Sequence, residues 1–369
     1  MSSRTRIAVL FGGRSAEHEV SLQSARNIMN VLDPEKYDIL PIGIDRDGRW
    51  YLDHDAVGML DRNGEEARRV RASSQEVVLT PNGGRKELID ITSRSSLGHI
   101  DILFPVLHGP YGEDGSVQGL AKLADLPCVG SGILGSAVSM DKDVMKRLLR
   151  DAGVPIVEFA VYRSVEAALE EYDALTSRLG DTLFVKPANL GSSVGVSRSR
   201  DRASYREAVE LGFQFDTKII VEREIRGREL EVSVLGNDAP VASLPGEIVP
   251  SEGFYSYEAK YVNAEGATLS IPATVSPTMA ESLASLSVTA FRTLECRGMA
   301  RVDFLTDEAD QIYVNEVNTI PGFTAISMYP KLWEASGISY ADLVERLVDL
   351  SRDEYERLHA LRSDPNLAG

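Results

Sequence analysis

At 369 residues the chain is long enough for two or three domains with cores of their own. Its 43% hydrophobic and 26% charged content is ordinary for a globular protein. No apolar run is long enough to cross a bilayer, and a formal charge of −17 excludes the basic footprint of a nucleic-acid binder.

The N-terminal stretch MSSRTRIAVLFGGRS runs into a strand without a secretory apolar segment. The two cysteines, Cys128 and Cys296, have neither metal nor redox spacing, so a reducing, cytoplasmic setting is expected. Arg6 to Phe11 is a short apolar strand, followed by Gly12-Gly13-Arg14-Ser15 and a helical stretch to about Val31. A glycine turn between strand and helix suits a doubly wound α/β unit that binds ligands at the carboxyl ends of its strands. The dinucleotide fingerprint G-x-G-x-x-G is missing. Glu17, near the helix start, either offsets the helix dipole or holds a ligand's ammonium group.

Tyr37 to Ile44 reads as a second strand, and Arg46 to Arg49 as a turn before Trp50-Tyr51-Leu52. Residues 45–99 are otherwise charged and loop-like, apart from a short strand near Glu76 to Leu79, and carry no assigned chemistry. Ile100 to Leu107 is a buried-strand pattern that delivers His108 to a strand's carboxyl end. A helix over about Ser116 to Ala124 and a strand over Leu126 to Val129 follow. Ser139-Met140-Asp141-Lys142 starts a helix that stops at Gly153, and the change of pattern sets a domain boundary near Ser139.

Thr182 to Lys186 is a strand ending in lysine. The run Pro187 to Val196 after it holds Gly191, Ser192, Ser193 and Gly195, small enough for backbone N–H groups to close around phosphate oxygens. It is not a Walker A loop. Helix Ser204 to Leu211 leads to strand Lys218 to Glu222, then a charged stretch and strand Glu229 to Leu235. The acids at these strand ends suit an adenine amino group and ribose hydroxyls, or form an exposed hairpin. Glu247 to Val262 is a long Tyr- and Gly-rich stretch of the kind that forms lids, ending in Lys260-Tyr261. Thr278 to Leu294 is a buried helix, and Tyr340 to Leu361 an amphipathic one.

The most informative stretch is Met299 to Thr324. Arg301 to Leu305 and Ile312 to Val317 read as two strands around a polar turn. Alternation puts Arg301 and Asp303 on one face, and Glu316 and Asn318 on one face. A register matching these faces gathers a guanidinium, two carboxylates and an amide oxygen, a donor set suited to Mg²⁺ with phosphates. The run Asn318 to Gly322 then turns the backbone beside that site.

Taken in order, GGRSAEHEVS, LHGPYGEDG, GSGILGSAVSMDK, VKPANLGSSVGV, FYSYEAKY, RVDF and NEVNTIPGFT resemble the D-alanine–D-alanine ligases of the ATP-grasp superfamily. The resemblance covers nearly the whole chain apart from roughly residues 45–99, and it implies an α/β, α+β multidomain protein. An N-terminal α/β substrate domain would span 1–138. A central ATP-grasp domain with the glycine loop would span 139–222, and a metal and lid domain 223–369. ATP would be co-substrate, with two Mg²⁺ ions, replaceable by Mn²⁺, held by Asp303, Glu316 and Asn318.

By the same resemblance Lys142, Lys186 and Ser193 would contact ATP phosphates, and Glu222, Arg223, Ile225 and Glu229 the adenosine. Glu17 would hold the first D-alanine, joined with Ser192 and Tyr261 in a hydrogen-bonded set that closes the lid. His108 would face the first carboxylate, and Ser327, Met328 and Lys260 the second. Arg301 and the Gly322 N–H would meet oxyanion charge. The implied enzyme is a cytoplasmic homodimer that makes D-alanyl-D-alanine for peptidoglycan through a D-alanyl phosphate. The alternatives are a D-alanine–D-lactate ligase or another ATP-grasp carboxylate–amine ligase. A regulatory module without turnover would be expected to lose Arg301, Asp303, Glu316 or Asn318, and all four are present.

Overall fold

A computed structural model describes residues 4–52, 75–81, 85–250 and 267–361. Three sheets organise them. The first contains β1 (Thr5–Gly12), β2 (Tyr37–Ile44), β3 (Trp50–Leu52), β4 (Gln75–Leu79), β5 (Glu87–Asp90), β6 (Ser96–His99) and β7 (Ile102–Val106), in the order β6-β5-β4-β3-β2-β1-β7. β1 is parallel to both β2 and β7. The apolar run of β1 is buried because both of its faces are covered. Ile7, Val9 and Phe11 join a core with Ala25 and Ile28 of helix α1 (His18–Val31) and with Leu343 and Leu347 of the C-terminal helix Tyr340–His359. Ala8 and Leu10 join another core with Val117 and Ala121 of α2 (Ser116–Leu123). β2 to β6 continue the sheet as an antiparallel meander, so the described part of residues 45–99 extends this sheet.

The second sheet contains β8 (Phe159–Tyr162), β9 (Leu183–Pro187), β10 (Ser197–Ser199) and β11 (Ile219–Arg223), in the order β10-β9-β11-β8 and antiparallel throughout. Helix Arg202–Phe215 packs Tyr205 and Val209 into the core formed with Val185, Ile219 and Val221. The third contains β12 (Gly227–Gly236), β13 (Val241–Ala242), β14 (Gly246–Pro250), β15 (Ala267–Ser270), β16 (Gly298–Asp307) and β17 (Ile312–Asn318). Its order is β15-β14-β12-β16-β17, with β13 on β12. Helix Pro277–Thr293 covers it through Leu283 and Phe291, which meet Val232 and Val302 in the core. No helix among the described residues is long and apolar enough to cross a membrane.

Three local expectations need correcting. The strand expected at Leu126 to Val129 is reduced to an isolated bridge, Leu103 with Cys128, because Pro127 has no N–H to extend a ladder. The helix expected to start at Ser139 is two helices, α3 (Ile133–Met140) and α4 (Lys142–Asp151). Asp141 leaves helical geometry between them and caps α4, its side chain accepting from the Asp143 and Val144 N–H groups. The β16 strand begins three residues earlier than the sequence pattern indicates, at Gly298. The boundary expected at 138/139 lies inside α3, and that at 222/223 inside β11. Lys260 and Tyr261 lie outside the described residues.

The turn after β1 is fixed by backbone geometry. Gly12 has φ +88°, and a Cβ there would lie 2.3 Å from the Ile44 carbonyl oxygen. That oxygen also accepts from the Gly13 N–H at 2.8 Å. Ser21 of α1 ties the turn down, accepting from the Gly12 N–H at 2.7 Å and donating to the Val106 carbonyl. Gly12→Ala is therefore expected to destabilise the fold by about 3 kcal/mol, combining left-handed strain with a backbone clash. Urea unfolding of the variant checks this.

Candidate active site

The β16–β17 hairpin sets the register: Arg301 pairs with Asn318, and Asp303 with Glu316. A break follows, since Phe304 pairs with Val314 and leaves Asn315 as the additional residue. Such a bulge re-aims side chains beside it. Here it lets two consecutive residues reach two lysines from different elements. Lys186, at the end of β9, donates to Asn315 Oδ1 at 3.1 Å, and Lys142, opening α4, lies 3.3 Å from Glu316 Oε2.

Arg301 makes a two-pronged pair with Asp303, with both N–O distances 2.7 Å. Its Nε also lies 3.0 Å from Glu231 on β12, whose register partner is Asp303. The Asn318 amide donates to Asp303 at 3.0 Å. Burial alone would lower the guanidinium pKa, but the Asp303 and Glu231 charges hold it well above its ordinary value. Among the described residues no group of three or more His, Cys, Asp and Glu is gathered as for a metal. The candidate set is two carboxylates and an amide. All are hard oxygen donors of the kind Mg²⁺ takes, and each carboxylate here is matched to a side-chain cation.

The glycine loop joins β9 to β10. Ser192 and Ser193 both have positive φ, 53° and 59°, and the Val194 N–H closes the turn onto Gly191 O at 3.1 Å. Two serines in the left-handed region cost of order 1–3 kcal/mol each, which marks the loop as a strained, specified turn. Lys142 Nζ donates to Leu190 O at 2.7 Å, and the Lys142 N–H donates to Ala188 O at 2.9 Å, so α4 is fastened to the loop. Behind it, Glu222 at the end of β11 is buried between two lysines. Its oxygens lie 2.6 Å from Lys146 Nζ and 2.6 Å from Lys186 Nζ. Burial pushes its pKa up, but the two ammonium groups outweigh that and hold it at about 2.

Glu17 opens α1 from the first sheet. A Cβ on Gly109 or Gly191 would lie 3.7 or 3.6 Å from its Oε2, so its carboxylate sits beside both the His108 turn and the glycine loop. His108 is buried; its Nδ1 lies 2.9 Å from Ile320 O, so that nitrogen carries the proton. Its Nε2 is buried without a hydrogen-bond partner among the described residues and is the atom a ligand would meet. Burial lowers its pKa, with the Glu17 charge acting in the opposite direction. Glu113 accepts from the Gly109 N–H at 2.7 Å and the Ile320 N–H at 3.0 Å, joining the first sheet's loop to the loop after β17. That second loop is anchored on α1, where Ser24 accepts from the Phe323 N–H and Asn27 donates to Phe323 O, each at 3.0 Å.

Gly322 faces Ser327: a Cβ there would lie 2.6 Å from Ser327 Oγ. Ser327 Oγ accepts from the Thr324 N–H at 3.0 Å. The Met328 side chain is buried with Ile248 and Leu332, so only its backbone is placed to meet a ligand. Arg223 reaches the Tyr313 hydroxyl at 2.9 Å and covers its ring, while Ile225, in the β11–β12 connection, and Glu229, on β12, are half-buried. The structure thus brings together Glu17, His108, Lys142, Lys186, the glycine loop, Glu222 and the hairpin set. Sequence reasoning missed Lys146, Glu113 and Glu231. Lys146 is four residues after Lys142 on one helix, and Glu231 is two after Glu229 on one strand, spacings that put each on its neighbour's face.

Three sheets meeting around these lysines and the Arg301 hairpin define the ATP-grasp class of enzymes. Residues 6–131 match the family model described as D-ala D-ala ligase N-terminus, and residues 148–349 the one described as D-ala D-ala ligase C-terminus. The chain belongs to the D-alanine–D-alanine ligase family. It is 45% identical over 361 residues to the D-alanine–D-alanine ligase of Oceanobacillus iheyensis, covering 98% of each chain. The solved D-alanine–D-alanine ligase of Coxiella burnetii superposes with a TM-score of 0.86 at 39% identity, covering 97% of each chain. The VanG D-Ala:D-Ser ligase of Enterococcus faecalis superposes with a TM-score of 0.84 at 35% identity, covering 95% of this chain and 100% of that one.

Glu113 yields a pH prediction. Burial first, and then the Glu17 charge, push its carboxyl up to about 8 from the ordinary 4.5, against its two N–H donors. The folded state therefore holds this proton more tightly than the unfolded chain. The resulting stability is full below the unfolded value and is lost as pH rises through about 8. Glu113→Gln should lose less stability than the wild type between about pH 5 and pH 8, read from urea midpoints.

Proposed function

We infer that this chain is an ATP-dependent ligase that joins two D-alanine molecules into D-alanyl-D-alanine, releasing ADP and phosphate, in peptidoglycan precursor synthesis. Family membership over nearly the whole chain supports this reading. The observation that carries it is the convergence of Glu17 and His108 from the first sheet, the glycine loop and lysines from the second, and Arg301 with Asp303 and Glu316 from the third. We propose the three sheets as three domains, acting in the cytoplasm as a homodimer.

A carboxylate is a poor acyl donor because oxide is a poor leaving group. Transfer of the γ-phosphoryl group of ATP to the first D-alanine gives an acyl phosphate. The amine of the second D-alanine attacks it, and phosphate leaves with the C–O electron pair. Glu17 holds the first ammonium group, and His108 lies beside the first carboxylate. Glu222, Arg223, Ile225 and Glu229 receive the adenosine, while Lys142, Lys186 and the Ser192–Ser193 turn receive phosphates. Asp303, Glu316 and Asn318 would hold Mg²⁺, which neutralises phosphate charge when bound. Arg301 and the Gly322 N–H face the oxyanion. Ser327 and the Met328 backbone, with Lys260, position the second D-alanine. Tyr261 closes over the set with Glu17 and Ser192 and keeps water from the acyl phosphate.

A specific observation favours testing a second acceptor: the VanG D-Ala:D-Ser ligase of Enterococcus faecalis resembles this chain over nearly its whole length. The test measures ADP and phosphate release from Mg·ATP with D-alanine, L-alanine, or D-alanine plus D-serine or D-lactate, with products identified by mass. D-Alanine alone should release both products and give D-alanyl-D-alanine. Turnover that requires D-serine or D-lactate would overturn the acceptor assignment. Arg301→Ala should lower kcat by about 10²- to 10³-fold, with folding checked by circular dichroism.

A further inference from the structure

We propose that Lys146, a residue with no contact to substrate in this scheme, is the electrostatic positioning residue of the phosphate site: it neutralises Glu222 so that the charge of Lys186 is available to the nucleotide's phosphates. The inference rests on the ATP-binding reading given above.

Lys146 lies one turn beyond Lys142 on α4 and is fully buried. Glu222 places one oxygen 2.6 Å from Lys146 Nζ and the other 2.6 Å from Lys186 Nζ. The cluster therefore holds two ammonium groups against one carboxylate. Without Lys146 the remaining pair would be neutral, and Lys186 would present phosphates with a charge already cancelled by Glu222. A buried carboxylate without a counter-ion is costly, so Lys186 would also be held more firmly on Glu222. With Lys146 present, one positive charge is left over. Lys186 faces the bulge, donating to Asn315 at 3.1 Å, while Lys146 stays behind it in the interior. Burial depresses the Lys146 ammonium while Glu222 acts in the opposite direction, and Lys186, although buried, is raised by Glu222.

The test is equilibrium dialysis of the full chain with adenosine, ADP and ATP, read as the ratio of adenosine to ADP dissociation constants. That ratio isolates the phosphates from any change at the adenosine. Lys146→Met keeps the Lys186–Glu222 pair and should lower the ratio about tenfold, the size of one charged hydrogen bond. Adenosine affinity should stay within about twofold. In Glu222→Gln the ratio should not fall below the wild-type value. In the Lys146→Met/Glu222→Gln double variant it should return to within about threefold of wild type, because the charge of Lys186 is again uncancelled. The double variant carries the test if Lys146→Met alone does not fold. An unchanged ratio in Lys146→Met, or an equal loss in single and double variants, would overturn the proposal. Failure of wild-type protein to bind ATP at all would instead overturn the ligase reading.

Discussion

The site depends on one pairing, β16 with β17, and on the irregularity within it. Arg301, Asp303, Glu316 and Asn318 come from two strands, and only the observed register puts Asp303 opposite Glu316. The Asn315 bulge then directs two neighbouring side chains toward lysines of the second sheet and α4. A slip of β17 by one residue would turn Glu316 and Asn318 to the face opposite Arg301 and Asp303. The core beneath the hairpin, with Val302, Phe304, Val314 and Val317 buried, resists that slip. The geometry of the candidate site and hydrophobic burial are thus fixed by the same register.

The charges around this hairpin follow one pattern. Carboxylates and cations are buried in near-balanced groups. Arg301 sits between Asp303 and Glu231, and Glu222 between Lys146 and Lys186. Breaking a buried pair by removing one partner is strongly destabilising. In each group a third charge keeps the central carboxylate or guanidinium matched by two partners. The same economy joins the sheets, since Glu113 accepts N–H groups from loops of both the first sheet and the third.

Much of this was legible in the residues. The apolar run Arg6 to Phe11 predicted a strand, and alternation along Arg301 to Asp303 and Glu316 to Asn318 predicted shared faces. The glycine and serine run after Lys186 predicted a loop between strands whose backbone N–H groups could close around phosphate; both serines are found at positive φ. What was not legible depended on tertiary context. Alternation carries no sign of the Asn315 bulge, because a bulge is a property of two paired strands. Lys146 reads as a surface lysine until α4 is packed against β11. The break at Asp141 shows in its side chain accepting from the Asp143 and Val144 N–H groups, an N-cap role the sequence reading passed over. Strands β5 and β6 were hidden by charged, short sequences whose stability comes from their neighbours.

The central claim is that the γ-phosphoryl group is transferred to a substrate carboxylate held between the first sheet and the Arg301 hairpin. The most direct measurement uses D-alanine labelled with heavy oxygen in its carboxylate and determines the isotope content of released phosphate by mass spectrometry. Transfer through an acyl phosphate places one labelled oxygen in each phosphate formed. Phosphate that carries no label during dipeptide formation would contradict the account, because the carboxylate oxygen would then never have bonded to phosphorus.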